Sequence, residues 1–391
     1  MPWMKREPMD LRIEFAMKAM RTDNFRGLCA EYRISTKTGY KWYRRFLAGG
    51  ISGMGERSRR PHAHADQLGE EVVCEIVRLK QAHRHWGPKK IRELYLRRYG
   101  QAASESSFKR VLERAGLTEP RRRRQRFESA GRLGSGQRGQ APNEVWTVDL
   151  KGWWYDGKGQ RCEPLTVRDE HSRYILELRR IPNARTETVR VCFERLFTIH
   201  GLPGAIRSDN GPPFAHVNGV LGLSRLSAWW VALGIDLERG RPGHPQDNGG
   251  HERMHRDIGS ELQACKAGQE ALELWREEFN QERPHEALGM KCPAQVYEPS
   301  TRKYDGTPDD LEYEDMASRK VSADGIIKLK DRQYFIGRSL AAWSVGLKPI
   351  VEGLIEVWFG RLLLGWIEPA TESFQRADVR PLELVNPEVN M

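Results

Sequence analysis

Cysteine is scarce and never paired along the chain. Cys29, Cys74, Cys162, Cys192, Cys265 and Cys292 stand far apart, with no Cys-x-x-Cys among them. That scatter argues against a disulfide framework and against a zinc knuckle, and it suits a reducing interior. Long apolar runs are missing too. Nothing approaches the roughly 20 residues a membrane-spanning helix needs, and the first residues lack the apolar core of a signal peptide. A cytoplasmic protein with no membrane partner is expected. Acidic residues are thin in the front third: residues 1–142 hold 32 Lys and Arg against 15 Asp and Glu, a net of +17. Residues 143–391 hold 32 against 38, a net of −6. The positive field belongs to the front, where a polyanion would be gripped first. With 391 residues, the chain has room for several domains.

Residues 11–47 read as three short helices. Apolar residues recur at helical spacing over 11–20, and Phe25, Leu28, Cys29 and Tyr32 form a second stripe. Ser35 suits the N-cap of a third helix, which carries Lys37, Tyr40, Lys41, Trp42, Arg44 and Arg45. Such a helix pair with a basic, aromatic second member is that of a helix-turn-helix, although a plain three-helix bundle with solvated charges fits equally well. A second such unit follows over 68–117. Pro88 suits the first turn of its middle helix, Ser104 can cap the third, and Gly116 can end it. Two consecutive units in a basic segment favour double-stranded DNA as partner. The side chains that would meet it are Lys37, Lys41, Arg44, Arg45, Lys89, Lys90, Lys109 and Arg110, with Arg253 and Arg256 further on. Between 119 and 142, Arg121, Arg122, Arg123 and Arg124 precede a glycine-rich stretch that cannot bury a core. It reads as a solvated linker, as an arm tracking phosphates, or as both.

From residue 143 the pattern changes. Strands are predicted over 144–150, 164–168 and 173–180, a helix over 186–200, and a strand over 205–208. A helical stretch over 217–233, a possible strand over 235–238 and a helix over 248–269 complete an α/β domain with a mixed sheet. An acidic segment with Pro and Gly follows near 300–316, then five short strands with glycine turns that suit a small β-barrel. The expected layout is helix-turn-helix at 1–60, a second one at 66–118, basic linker at 119–142, catalytic core at 143–299, acidic linker at 300–317, β-barrel at 318–370 and tail at 371–391.

Three carboxylates stand out in that core. Asp149 interrupts the apolar run Val145-Trp146-Thr147-Val148-Asp149-Leu150, where an isolated buried acid is expensive. Asp209 ends a short run before Asn210-Gly211, and Glu252 follows a Pro/Gly-rich loop on a helix. Singly, Asp209 could serve only a turn, and Glu252 could pair with Arg256 one helical turn on. Asp169 and Glu170 fit the turn between the second and third strands, and Asp247 suits a helix start. Together, Asp149, Asp209 and Glu252 can be delivered to one point by two strand ends and a helix. They could hold two divalent ions, Mg²⁺ or Mn²⁺, since hard oxygen ligands suit these better than zinc.

The conjunction of Trp146-Thr147-Val148-Asp149, Ser208-Asp209-Asn210-Gly211-Pro212-Pro213-Phe214, Arg241-Pro242-Gly243-His244-Pro245-Gln246 and Glu252 resembles the DDE core of bacterial insertion-sequence transposases, relatives of retroviral integrases. Asp209 and Glu252 have 42 residues between them, which accommodates an insertion at 222–226. The likeness extends to Arg57-Ser58-Arg59-Arg60-Pro61-His62, Trp86-Gly87-Pro88-Lys89-Lys90-Ile91 and Arg283-Pro284-His285-Glu286-Ala287-Leu288. It covers most of residues 25–300. The resemblance implies an RNase H-like core binding two Mg²⁺ or Mn²⁺ ions. It implies phosphodiester cleavage at transposon ends and transfer of the 3′-hydroxyl strand to target DNA. The partners would be terminal inverted repeats, target DNA and at least a second copy of the chain, in the bacterial cytoplasm.

Two departures from the pattern stand out. Gly259 sits seven positions after Glu252, where many relatives carry Lys or Arg, and the His/Cys zinc module of retroviral integrases is missing. One rival overlaps the site. His251-Glu252-Arg253-Met254-His255 matches H-E-x-x-H, in which two histidines one helical turn apart bind zinc in a protease. It leaves Asp149, Asp209 and the basic front third without a role. A DNA-binding regulator with an inactive core is the third reading.

Overall fold

A computed structural model describes residues 7–56, 68–118, 139–240, 249–350 and 353–377. The arginines at 121–124, the motifs at 57–62 and 241–246, and Asp247 lie outside the described residues. The chain divides into two compact units, residues 1–69 and 70–391.

The first unit holds α1 (Pro8–Ala19), α2 (Phe25–Glu31) and α3 (Thr36–Gly49). Both caps are side-chain oxygens: Gly27 N donates to Asn24 Oδ1 at 2.8 Å, and Thr38 N donates to Ser35 Oγ at 3.2 Å. Phe15, Ala16, Leu28, Cys29, Trp42 and Met54 form the core. A Cβ at Gly39 would stand 2.5 Å from Cys29 Sγ, so α2 and α3 cross where only glycine fits.

In the second unit, α4 (Glu70–Ala82), α5 (Pro88–Tyr99) and α6 (Glu105–Arg114) come first. Ser104 Oγ accepts from Ser107 N, Pro88 opens α5, and Gly116 takes a positive φ of 68° past α6. Then come β1 (Val145–Leu150), β2 (Trp154–Tyr155), β3 (Arg161–Cys162), β4 (Pro164–Asp169), β5 (Ile175–Arg180), α7 (Thr186–His200), β6 (Ala205–Ser208), α8 (Arg225–Ala232), β7 (Asp236–Arg239), α9 (Gly249–Ile258) and α10 (Gln269–Gln281). The sheet order is β5-β4-β1-β6-β7. β1 is antiparallel to β4 and parallel to β6, which is in turn parallel to β7, so the sheet is mixed.

Side-chain alternation along these strands sets the two faces. Trp146, Val148, Leu165 and Val167 enter one core with Phe193, Phe197, Trp229 and Trp230 of α7 and α8. Thr147, Asp149, Thr166 and Arg168 therefore point to the opposite face, where α9 lies. Met254 and Ile258 of α9 share a separate core with Leu272, Trp275 and Phe279 of α10.

Two predicted helices are shorter than expected. The stretch 217–233 begins only at Arg225, because Gly222 takes φ 67° and Ser224 and Ser227 form a reciprocal cap there. The stretch 248–269 ends α-helical geometry at Ile258, passes through a π-turn at Gly259–Gln263, and breaks at Lys266, which has φ 51°.

The C-terminal strands are β8 (Ala317–Lys320), β9 (Ile326–Leu329), β10 (Arg332–Phe335), β11 (Ser344–Pro349), β12 (Ile355–Phe359), β13 (Leu362–Glu368) and β14 (Ser373–Arg376). The expected barrel is not closed among the described residues. The strands form an open five-stranded sheet, β14-β13-β12-β11-β8, and a separate β9–β10 hairpin. The hairpin supplies Ile327 and Tyr334 to a core with Val345, Val357, Phe359 and Ile367, which also takes in Val220, Leu223 and Val231 from around α8. Apolar cover from the hairpin and α8 replaces closure by hydrogen bonds. The acidic segment is tied to this sheet, with Ser344 N and Oγ donating to the two oxygens of Asp310 at 2.7 and 2.8 Å.

Candidate active site

β1 and β6 run parallel with Thr147 opposite Arg207. Two residues further along each strand direction, Asp149 and Asp209 lie at the same end of the sheet. The Asp149 carboxyl is half-buried. Oδ1 accepts from Leu150 N at 2.7 Å, and Oδ2 lies 3.6 Å from His255 Nδ1. Burial pushes this acid up to about 6, and the negative charges of Asp209 and Glu252 add to the push. Asp149 is thus close enough to feel both of the other acids.

Asp209 is exposed, but the loop that carries it is held from below. Arg239, at the end of β7, donates from Nη1 to the Phe214 carbonyl at 3.2 Å and the Asp209 carbonyl at 3.5 Å. Its Nη2 donates to Ser227 Oγ at 3.3 Å. Burial lowers this guanidinium to about 10, with Asp209 pulling the other way. Asn210 Nδ2 donates to the Gly240 carbonyl at 2.8 Å. Arg239 is a positioning residue that reading the sequence missed. Its only signal is an arginine closing a short strand before glycine.

Glu252 is exposed in the first turn of α9, and its neighbour His251 is fully buried. His251 Nδ1 lies 2.9 Å from Thr147 Oγ1, and Nε2 lies 2.6 Å from Thr166 Oγ1. The imidazole thus bolts α9 to β1 and β4. Burial, with His255 and Arg168 nearby, holds it far below the usual histidine range. Burial likewise lowers His255 to about 4, with Lys151 and Arg168 adding to it. At Gly250 a Cβ would stand 2.4 Å from Arg168 Nη2, so α9 begins directly on that buried arginine. The zinc-protease reading loses its first ligand here, because both nitrogens of His251 are spent on threonines.

The far end of α9 is held by the motif at 283–288. Buried Arg283 donates from Nη2 to Asp257 Oδ2 and Glu261 Oε1, each at 3.0 Å, and Trp275 Nε1 donates to Glu261 Oε2 at 2.7 Å. The motif at 86–91 meets this region. Lys89 Nζ lies 3.3 Å from Glu286 Oε2, and His83 Nδ1 lies 3.1 Å from Glu278 Oε1. Arg97 donates to the Met290 carbonyl at 2.5 Å. The helices α4–α6 are therefore docked on the core.

Of the residues read as DNA-facing, Lys37, Lys41, Arg44, Lys89, Lys109, Arg110, Arg253 and Arg256 are exposed. Arg45 lies over the Trp42 ring at 4.9 Å. Lys90 is drawn into the docking zone, where burial and then Arg283 lower it to about 8. Asp169 is fully buried and serves its turn, accepting from Asn143 N and Ser172 N at 2.7 Å.

Residues 139–245 match the model of an integrase core domain, and residues 233–293 match a second model of the same description. The chain carries an integrase core. Ahead of that core, residues 11–62 match a helix-turn-helix domain and residues 38–112 a homeodomain-like domain. The chain is 26% identical over 241 residues to an uncharacterized 31.7 kDa protein of insertion element IS407 from Burkholderia multivorans, covering 60% of this chain and 83% of that one. It is 26% identical over 234 residues to an uncharacterized 39.2 kDa protein of insertion element IS476 from Xanthomonas euvesicatoria, covering 58% and 64%. Among solved structures, the catalytic core domain of BIV integrase is similar at 26% identity and a TM-score of 0.31. The alignment covers 40% of this chain and 93% of that one. Among the described residues, no helix is long and apolar enough to cross a membrane.

Proposed function

We propose that this chain is a DNA transposase that cuts the ends of its element and joins them to target DNA through Asp149, Asp209 and Glu252. The observation that carries the reading is geometric: Asp149 and Asp209 lie at the same end of two neighbouring parallel strands, and the helix that carries Glu252 is bolted to β1 and β4 through His251. Three acids offer hard oxygens, which fit a hard divalent cation such as Mg²⁺ or Mn²⁺. Asp149 and Asp209 would hold one ion, and Asp149 and Glu252 a second. When bound, such a pair supplies Lewis acidity to the attacking and leaving oxygens of an in-line phosphoryl displacement.

The residues of the chain do the positioning. Arg239 fixes the Asp209 loop from inside, His251 fixes Glu252 against β1 and β4, and Arg283 holds the other end of α9. In the first reaction water attacks a phosphodiester at the element end, and the 3′-oxygen leaves as a hydroxyl. In the second that hydroxyl attacks a target phosphodiester, so each reaction forms one P–O bond and breaks one. The exposed cations of α3 and α6 would grip the end DNA, with those helices in successive major grooves. Joining two ends calls for at least two copies of the chain assembled on DNA.

The test is cleavage and joining of the element's flanking inverted repeats by the full chain with Mg²⁺. Asp149→Asn, Asp209→Asn and Glu252→Gln should each abolish both reactions while retaining end binding. An Asp149→Asn protein that still cuts would refute the assignment.

A further inference from the structure

Proton counting around one threonine singles out a nitrogen that the carboxylate account leaves unused. Thr166 Oγ1 donates its single proton to the Asp149 carbonyl oxygen at 2.8 Å. Its two lone pairs face His251 Nε2 at 2.6 Å and His255 Nε2 at 2.8 Å. Both of those nitrogens must then be the protonated ones. For His251 the remaining nitrogen is satisfied, since Nδ1 accepts from Thr147 Oγ1 at 2.9 Å. For His255 no such partner is present among the described residues. Its Nδ1 lone pair faces Asp149 Oδ2 at 3.6 Å, beyond hydrogen-bond range, with no proton between them. The other carboxylate oxygen is already occupied by Leu150 N. One nitrogen and one oxygen without a proton between them therefore stand within reach of a single ion.

We propose that His255 Nδ1 and Asp149 Oδ2 are paired ligands of one divalent cation, which makes this a mixed nitrogen–oxygen site rather than an all-carboxylate one. The proposal rests on the reading of Asp149, Asp209 and Glu252 as a metal-holding cluster and adds a ligand to it. Two ligands about 2.1 Å from one ion stand roughly 3.0–3.4 Å apart at octahedral to tetrahedral angles, so closing on an ion needs a few tenths of an ångström. The Thr166 bond fixes the imidazole ring and its tautomer, as an outer hydrogen bond does for histidines at metal sites. His251 lies in the same cluster but has both nitrogens engaged, so one imidazole is offered and not two. A neutral imidazole is a softer donor than a carboxylate. It should shift preference from Mg²⁺ towards Mn²⁺ and Co²⁺.

The experiment is pulsed electron paramagnetic resonance of Mn²⁺ bound to the full chain without DNA. The expected result is nitrogen modulation from one imidazole, which changes to the ¹⁵N pattern when the protein is made with ¹⁵N-histidine and needs no substitution to be read. His255→Asn should abolish the modulation, weaken Mn²⁺ binding about tenfold and leave Mg²⁺ binding within about twofold. Mn²⁺ binding that is lost in Asp149→Asn but carries no nitrogen signal in the wild type would overturn the histidine ligand and leave the acid cluster standing. A signal that persists in His255→Asn would overturn it as well. Binding that survives Asp149→Asn unchanged would remove the acid cluster itself, and the mixed site with it.

Discussion

Replacing His251 with alanine tests whether α9 is held where Glu252 needs it. The side chain is fully buried and makes two hydrogen bonds, at 2.9 Å to Thr147 and 2.6 Å to Thr166. Each is worth about 0.5–1.5 kcal/mol net, and the vacated ring adds a cavity cost, so a loss of about 2–4 kcal/mol is expected. Without the ring, Thr147 can turn its proton to the Arg168 carbonyl and Thr166 keeps its bond to the Asp149 carbonyl, which keeps the cost below that of orphaned hydroxyls. Urea unfolding of the full chain at unchanged m-value reads the loss as a lower midpoint. An α9 displaced by about 1 Å should also cut DNA about a hundredfold more slowly, with end binding intact.

The pH dependence of that loss provides a second readout. Folding holds the His251 pKa below its unfolded value of 6.5, so above about pH 6.5 the neutral ring contributes in full. As pH falls below 6.5 the unfolded chain takes up a proton that the folded chain refuses. Wild-type stability then drops by about 1.4 kcal/mol per pH unit from this group. The alanine variant lacks that drop. The stability gap between the two should therefore narrow on going from pH 6.5 to 5.5. His200 and His285 are also lowered by burial, but they titrate in both proteins and cancel in the difference. A midpoint equal to wild type, or a gap that widens as pH falls, would refute the bolt.

Arg283→Met should cost about 2–4 kcal/mol in the same urea assay, because it removes the partner of Asp257 and leaves the half-buried Glu261 with Trp275 alone; a loss under 1 kcal/mol would show the pair is not holding α9. Gly39→Ala forces a methyl to 2.5 Å from Cys29 Sγ, so the fragment 1–56 should lose helical circular dichroism, while Gly55→Ala, with open space around it and a negative φ, perturbs it far less. Neutralising Arg121, Arg122, Arg123 and Arg124 should reduce the salt slope of log K for end DNA by up to about 3–4, and an unchanged slope would leave that run as a solvated linker.

What could be read from the sequence was local chemistry. Ser35, Pro88, Ser104 and Gly116 each act on the turn they sit in, so they mark helix ends without any knowledge of the fold. Asp149 was legible because a carboxylate in an apolar strand has few other uses. The closed barrel was an overreach of the same local logic. Short strands with glycine turns indicate a sheet but do not say what covers it, and here the β9–β10 hairpin and α8 do. β8 escaped notice because all four of its residues are exposed, which leaves no alternation to read. α10 was hidden by the assumption that one helix ran on to residue 269. The positive φ at Lys266, which starts the new element, has no signature in the residue type.

The segment His251-Glu252-Arg253-Met254-His255 separates motif from mechanism most clearly. Its spacing puts both histidines on one helix face, and that much is true of a zinc protease and of this chain alike. What decides between them lies 85 and 104 residues away, where Thr166 and Thr147 meet His251 from neighbouring strands. Their hydroxyls reach the same ring only because β1 and β4 pair with Thr147 opposite Arg168 and Asp149 opposite Thr166. A one-residue slip of β4 would turn Thr166 into the α7–α8 core and leave His251 Nε2 without its partner. Strand register, not the five-residue pattern, therefore assigns His251 to structure, fixes the helix that carries Glu252 on β1 and β4, and leaves His255 Nδ1 as the imidazole nitrogen 3.6 Å from Asp149 Oδ2.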